Sequence, residues 1–204
     1  MGIKAVAFDF GNVISLPQDT DDLNRLAEIV GVDRTTMNEL AMKDRADYDR
    51  GALSGKEYYA RGLSKLGKVF DEEALAALVK ADLESWANVN PATVALMDEV
   101  KAAGAKIAIL SNMPHEFLAL SRVRFPFFSN LDAGIYSCEI GVNKPDRAIY
   151  EALLTALDSR AGEVVFFDDI AANVSGARAL GMEAFVWTDA ASARDRLVAF
   201  GVLS

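Results

Sequence analysis

Lys4-Ala5-Val6-Ala7-Phe8-Asp9-Phe10-Gly11-Asn12-Val13-Ile14 is the stretch on which the reading of the whole chain depends. Its apolar run has the character of a strand covered on both faces, as in a parallel sheet. Directly after that run comes an acid, Asp9, and two residues later a glycine, Gly11. A carboxylate beside a buried strand is costly unless it is paired, hydrogen-bonded or bound to a metal. Taken alone, the stretch admits two readings of Asp9, a turn cap or a chemical group. The rest of the chain has to separate them.

Downstream the pattern changes. Residues 21–82 read as helices joined by polar connections, with no period-two alternation. Leu23, Leu26, Ala27 and Val30 share one helical face, and Gly31 is a natural stop. A second helix is expected over residues 34–45. A third starts near Ser54, where Ser54-Gly55-Lys56-Glu57 has capping-box spacing, and a fourth covers residues 72–83. Asn90 then caps a helix with Pro91 in its first turn, Gly104 at its end, and Val94, Met97 and Val100 as the expected buried stripe.

That helix feeds a second apolar strand over residues 106–110. A β-α-β unit needs only about 30 residues, so residues 16–88 are surplus and are expected to form a small all-helical cap. Residues 1–15 and 89–204 are then the core. Further strands are expected over residues 133–136, 164–167 and 184–187, alternating with helices. One of these is capped by Asp146 and buries Ile149, Leu153 and Leu157. Another carries Val174, Ala177 and Leu180 and ends at Gly181, and a last covers residues 191–200. Such alternation predicts an α/β fold, a doubly wound, Rossmann-like parallel sheet.

In such a sheet, ligands bind at the carboxyl ends of the strands. The first strand ends in Asp9, the second in Ser111-Asn112, and beyond the third lies Asn143-Lys144-Pro145. The fourth ends in Asp168-Asp169, and the fifth in Thr188-Asp189, which is ordinary turn chemistry. Three carboxylates around one point repel each other unless a cation sits among them. One or two carboxylates, with waters and a phosphate, are the usual environment of magnesium. Ser111, expected at a helix start, offers a hydroxyl and nearby N–H groups to an anion, and Lys144 offers a point charge. A carboxylate nucleophile, a divalent cation, a hydroxyl and an ammonium make a site for phosphoryl transfer.

In order and spacing, these segments resemble the four motifs of the haloacid dehalogenase (HAD) superfamily of hydrolases. Asp9 matches the nucleophile of the first motif, Ser111 the second, and Lys144 in Lys144-Pro145-Asp146 the third. Asp168-Asp169, with Asn173, Gly176 and Gly181 beyond, matches the fourth. The insertion resembles the cap of the subfamily that holds sugar-phosphate phosphatases and haloacid dehalogenases. The resemblance implies a magnesium-dependent phosphatase acting on a small phosphorylated metabolite, such as a sugar phosphate, through an aspartyl-phosphate. It implies Asp9, Ser111 and Lys144 as catalytic groups, and Asp9, the Gly11 carbonyl and Asp169 as Mg2+ ligands. Asp168 and Asn173 would lie behind them. Ser111, Asn112 and Lys144, with Arg45 and Arg50 from the cap, would meet the substrate.

One position departs from that pattern. Phosphatases of the superfamily usually carry an acid where this chain has Gly11, to protonate the leaving group. A branch with Asp-x-Gly-Asn-Val in this motif is similar to this chain. A good leaving group, a cap residue or a water would then make up for the missing acid. Two rival readings are a metal-free 2-haloacid dehalogenase and a catalytically weakened protein that binds a phosphorylated metabolite.

Composition narrows the partners. A net charge of −9 repels nucleic acid and anionic membranes, and no apolar run approaches the roughly 20 residues that span a bilayer. The single cysteine, Cys138, excludes an intramolecular disulfide and fits a reducing compartment. No signal-peptide pattern is seen, so a cytoplasmic setting is expected, as a monomer or homodimer. His115 is expected at an exposed helix start, and Cys138 as a small buried residue. Phe125, Phe127 and Phe128 are expected to pack, and Asp19, Asp21 and Asp22 to cap a helix.

Overall fold

The computed structural model describes residues 2–204. Strands β1 (Ala5–Phe8), β2 (Lys106–Ser111), β3 (Ala133–Tyr136), β4 (Val164–Asp168) and β5 (Glu183–Val186) form one sheet in the order β3-β2-β1-β4-β5. Every pairing is parallel. The chain leaves β1, fills one side of the sheet, then crosses back to fill the other, so β1 is central and its carboxyl end lies at the switch point.

The unbroken apolar run of β1 now has its cause. Alternate side chains point to opposite faces. Val6 and Phe8 pack towards α6 (Pro91–Ala102) and α11 (Ala190–Ala199), whereas Ala5 and Ala7 pack towards α9 (Arg147–Leu157) and α10 (Ala171–Ala179). Register places Phe8 beside Ile109 on one side and Phe167 on the other. The Asp9 N–H continues the ladder by donating to Phe167 O at 2.9 Å. A single residue's extension thus fixes where the first acid emerges.

Between β1 and α6 lies an all-helical insertion: α1 (Thr20–Val30), α2 (Arg34–Lys43), α3 (Arg45–Asp49), α4 (Gly55–Ser64) and α5 (Glu72–Ser85). It has its own apolar centre, built from residues such as Leu26, Met37, Tyr48, Leu63 and Leu78. The chain enters and leaves side by side. Leu16 N donates to Asn88 O at 2.7 Å, and Asn90 N donates to Ile14 O at 2.8 Å. The insertion is also tied to the segment that follows β3. Asn143 Nδ2 donates to Ala46 O at 2.7 Å, and Ser137 Oγ of α8 (Ser137–Ile140) donates to Asp49 O at 2.5 Å.

Four local expectations change. The helix expected over residues 34–45 breaks at Asp44 (φ −116°, ψ 17°), and Arg45 opens the short α3 in a new direction. On α6 the buried residues are Thr93, Leu96, Met97 and Val100, with Val94 only half-buried. Thr93 can be buried because its hydroxyl donates to Val13 O at 2.7 Å. Ser111 is the last residue of β2 and does not start a helix; α7 (His115–Arg124) begins four residues on, after Pro114. Strand β5 begins one residue early, at Glu183.

Candidate active site

Asp9 ends its strand because the next residues turn sharply. Gly11 (φ −63°, ψ 130°) and Asn12 (φ 57°, ψ 2°) have the dihedrals of a type II turn. Asparagine tolerates the left-handed position. Its N–H donates to Ser15 Oγ at 3.1 Å, and its Nδ2 donates to Asp169 Oδ2 at 2.8 Å. The turn therefore joins the end of β1 to the loop after β4. Asp9 itself is 6% exposed, and its Oδ1 accepts from Phe10 N at 2.7 Å.

Lys144, on the loop between α8 and α9, reaches under the strand ends. Its Nζ lies 2.8 Å from Asp9 Oδ1 and 2.6 Å from Asp168 Oδ2, and donates to Leu110 O at 2.8 Å. Asn112 holds the backbone from which this side chain springs: its Oδ1 accepts from Lys144 N (2.8 Å) and its Nδ2 donates to Lys144 O (3.1 Å). The amide expected to meet substrate is thus spent on positioning the lysine. Asp168 is fully engaged. Its Oδ1 accepts from Ile170 N and Asn173 Nδ2, at 2.8 and 3.0 Å, and its Oδ2 from Lys144 and from Asn173 at 3.1 Å. Ser111 is buried and hydrogen-bonds the Asp9 carboxylate.

One carboxylate oxygen from each of Asp9, Asp168 and Asp169 lies within 4.8 Å of the others. A single ammonium, Lys144, pairs with Asp9 and Asp168, while Asp169 accepts from Asn12. Burial pushes Asp9 up to about 7, against the pull of Lys144 and with help from the Asp168 charge. The donor set consists of hard oxygens with an excess of negative charge, which fits a divalent cation such as magnesium. Because hydrogen bonds occupy both oxygens of Asp168, Asp9 and Asp169 are the carboxylates free to hold it.

Above this pole lies a cavity of about 600 Å³, floored by Asp9, Ser111, Lys144 and Asp169 and walled partly by the insertion. Arg45 reaches it, but its Nε is 2.7 Å from Asp49 Oδ1 and its Nη1 is 3.9 Å from Asp82 Oδ2. The guanidinium also lies over the Tyr48 and Trp86 rings. Burial pushes Asp49 up to about 6 despite Arg45, and raises Asp82 as well. Arg50 does not line the cavity. After the break at Asp44, one turn of α3 puts residues 45 and 49 inward, and Arg50, exposed, pairs with Asp47 at 2.8 Å.

Asn12, Asp49 and Asp82 are among the cavity residues that the sequence did not reveal. Asn12 joins the turn to Asp169, and its one sequence signal was an asparagine beside a glycine turn. Asp49 and Asp82 lie on separate helices and carry no motif. The remaining candidates are structural. His115 is exposed, Cys138 is buried with its thiol pushed up to about 11, and Asp19 forms a capping box with Asp22. Phe125 and Phe128 pack on Phe10, and Phe127 stacks on Phe125.

Residues 3–181 match the sequence profile of the haloacid dehalogenase-like hydrolases. The chain belongs to this family. Among HAD-like hydrolases, it is similar to a phosphatase of Mycobacterium tuberculosis, 29% identical over 97% of this chain and 93% of that protein. It is also 23% identical to mouse bifunctional epoxide hydrolase 2 over 95% of this chain, which spans only 38% of that longer protein. A HAD family enzyme from Bacteroides thetaiotaomicron, solved with magnesium and inorganic phosphate, superposes with a TM-score of 0.74 at 18% identity. The match covers 92% of this chain and 95% of that one. The HAD-like core and its helical insertion are therefore a shared fold. No helix among the described residues is long and apolar enough to cross a membrane.

Proposed function

We propose that this HAD-like hydrolase is a magnesium-dependent phosphatase that cleaves phosphate monoesters through an aspartyl-phosphate on Asp9. One observation carries the reading: Asp9 sits at the switch point, held by Lys144, in a cluster of three carboxylates of which Lys144 pairs with two, Asp9 and Asp168. Magnesium held by Asp9, the Gly11 carbonyl and Asp169 would neutralise charge on the phosphoryl oxygens. The Asp9 carboxylate attacks phosphorus; its bond to phosphorus forms as the ester P–O bond breaks, and the alkoxide leaves and takes its proton from water. Lys144 and Ser111 hold the transferring oxygens in place. Water then hydrolyses the acyl-phosphate, releasing phosphate and restoring the carboxylate. Asn173 and Asp168 keep Lys144 aimed, and Asn112 fixes its backbone.

Gly11 leaves the departing alcohol without the usual donor, and general acid help is worth ~10²–10⁴ in rate. Esters of acidic alcohols suffer least from that loss, so they are the preferred substrates. Release of phosphate from 4-nitrophenyl phosphate tests the mechanism. Asp9→Asn is expected to lower kcat by about 10⁴-fold or more. Chelation is expected to stop the wild-type reaction and magnesium to restore it. Turnover that persists in Asp9→Asn overturns the proposal, and 2-haloacid hydrolysis that survives chelation establishes a dehalogenase instead.

A further inference from the structure

The wall that the insertion gives to the cavity is apolar where a substrate body would lie. Leu23 and Leu26 of α1, Met37 and Met42 of α2, Trp86 just after α5, and Ile170 after β4 all line it. Met42 is 73% exposed and Ile170 52%, so the mouth holds large apolar side chains in water. Covering them with an apolar group is favourable, and thioethers adapt to varied shapes. A volume of about 600 Å³ suits a small organic ligand.

Most polar groups on this wall are already engaged. Arg45 is held by Asp49 and Asp82, and Gln18 donates its amide to Ser85 at 2.6 Å. Among the described residues, that leaves the exposed Asn38 and the buried indole N–H of Trp86 as the insertion's polar lining groups without a hydrogen-bond partner. A sugar ring presents hydroxyls in several directions, and each needs a partner when it leaves water. A second phosphate or a carboxylate needs a spare cation, whereas the guanidinium here already carries two acids.

We infer that the ester bound here has an apolar body, aromatic or aliphatic, with the phosphate as its one anionic group, in place of the sugar phosphate that the family resemblance implies. The inference rests on the phosphatase reading and names its substrate class. It also agrees with Gly11: an aryl phosphate combines an apolar body with a more acidic alcohol than an alkyl ester has, which lessens the cost of the missing donor.

A series that varies the body at nearly constant leaving-group acidity tests it: phenyl, 4-ethylphenyl, 4-propylphenyl and 4-butylphenyl phosphate, with magnesium present. Each methylene buried in the cavity is expected to raise kcat/KM roughly fourfold until the wall is covered. The polar isostere 4-(2-hydroxyethyl)phenyl phosphate is expected to fall at least about tenfold below the propyl ester. Met42→Glu, at an exposed site that tolerates a charge, is expected to shrink the ratio of butylphenyl to phenyl activity. The matching arylphosphonates, titrated calorimetrically, report binding without turnover. A flat series, or preference for the hydroxyethyl ester, overturns the apolar substrate while the phosphatase reading stands. Length-dependent phosphonate binding with no ester hydrolysed overturns the phosphatase reading and keeps the apolar site. No hydrolysis and no length dependence overturns both.

Discussion

Two charged clusters face each other across the cavity, and they are built on opposite plans. On the core side, Lys144 serves Asp9 and Asp168, with Asp169 beside them. On the side of the insertion, Arg45 serves Asp49 and Asp82. The first cluster stands on strand ends, and hydrogen bonds to Asn112, Asn173 and Asn12 fix it in place. Its surplus negative charge leaves room for a divalent cation. The second stands on helices α3 and α5, and its guanidinium is closed over by two aromatic rings. The core cluster is poised to take up charge. The cluster of the insertion has its one cation already satisfied, so it can exclude a further anion but has little with which to attract one.

Removing each cation should therefore have different consequences, and the larger effect belongs to the core. Lys144→Met keeps length but removes the ammonium from Asp9 and Asp168 in the carboxylate cluster. It is expected to lower kcat on 4-nitrophenyl phosphate by about 10²–10³, the usual cost of losing one charge-stabilising donor. Steady-state assays over a magnesium titration check it. If extra magnesium restores full activity, the lysine only neutralises the cluster and does not touch the phosphoryl group.

The next effect concerns the acid that the core lacks. A Cβ built on Gly11 would meet only Trp86 Cζ3, at 3.7 Å, which is ordinary contact, and φ at Gly11 is −63°. An aspartate fits there without strain. Gly11→Asp is expected to raise kcat for phenyl phosphate and alkyl phosphates by about 10²-fold, and to leave 4-nitrophenyl phosphate nearly unchanged. Equal gains on both, or none on either, would show that proton donation does not limit this enzyme.

The two clusters also differ in how far the sequence revealed them. Asp9, Ser111, Lys144 and Asp168-Asp169 were found because strands announce themselves by apolar runs, and a doubly wound sheet gathers the residues after each strand at one pole. The insertion was visible as helices. Its inward residues were not, because a helical period says which face is apolar and not how five helices fold together. The break at Asp44 illustrates this: it turned Arg45 and Asp49 inward and Arg50 outward, and only packing decides where such a break falls. Asn12 lay hidden for another reason, since its partner Asp169 is 157 positions away.

The smallest effect probes the charge of the insertion's cluster directly. Burial holds Asp49 at about 6 in the folded chain, above its ordinary 3.8, although Arg45 pulls it down. A carboxyl raised on folding favours the folded state fully below about pH 4, and that contribution is lost as pH rises through about 6. Asn cannot ionise, so Asp49→Asn should gain stability relative to the native chain between pH 4 and 7. The gain is at most roughly 3 kcal/mol, since each pH unit between the unfolded and folded titrations is worth about 1.4 kcal/mol. Urea denaturation of both proteins at pH 4.5 and 7.5 measures it. A constant difference would mean that Arg45 outweighs burial and keeps Asp49 ionised throughout. A difference that grows with pH means that the wall gains a negative charge near pH 6. Above that pH it repels any second anionic group on a substrate, which is the selectivity that an apolar, singly charged ester would satisfy.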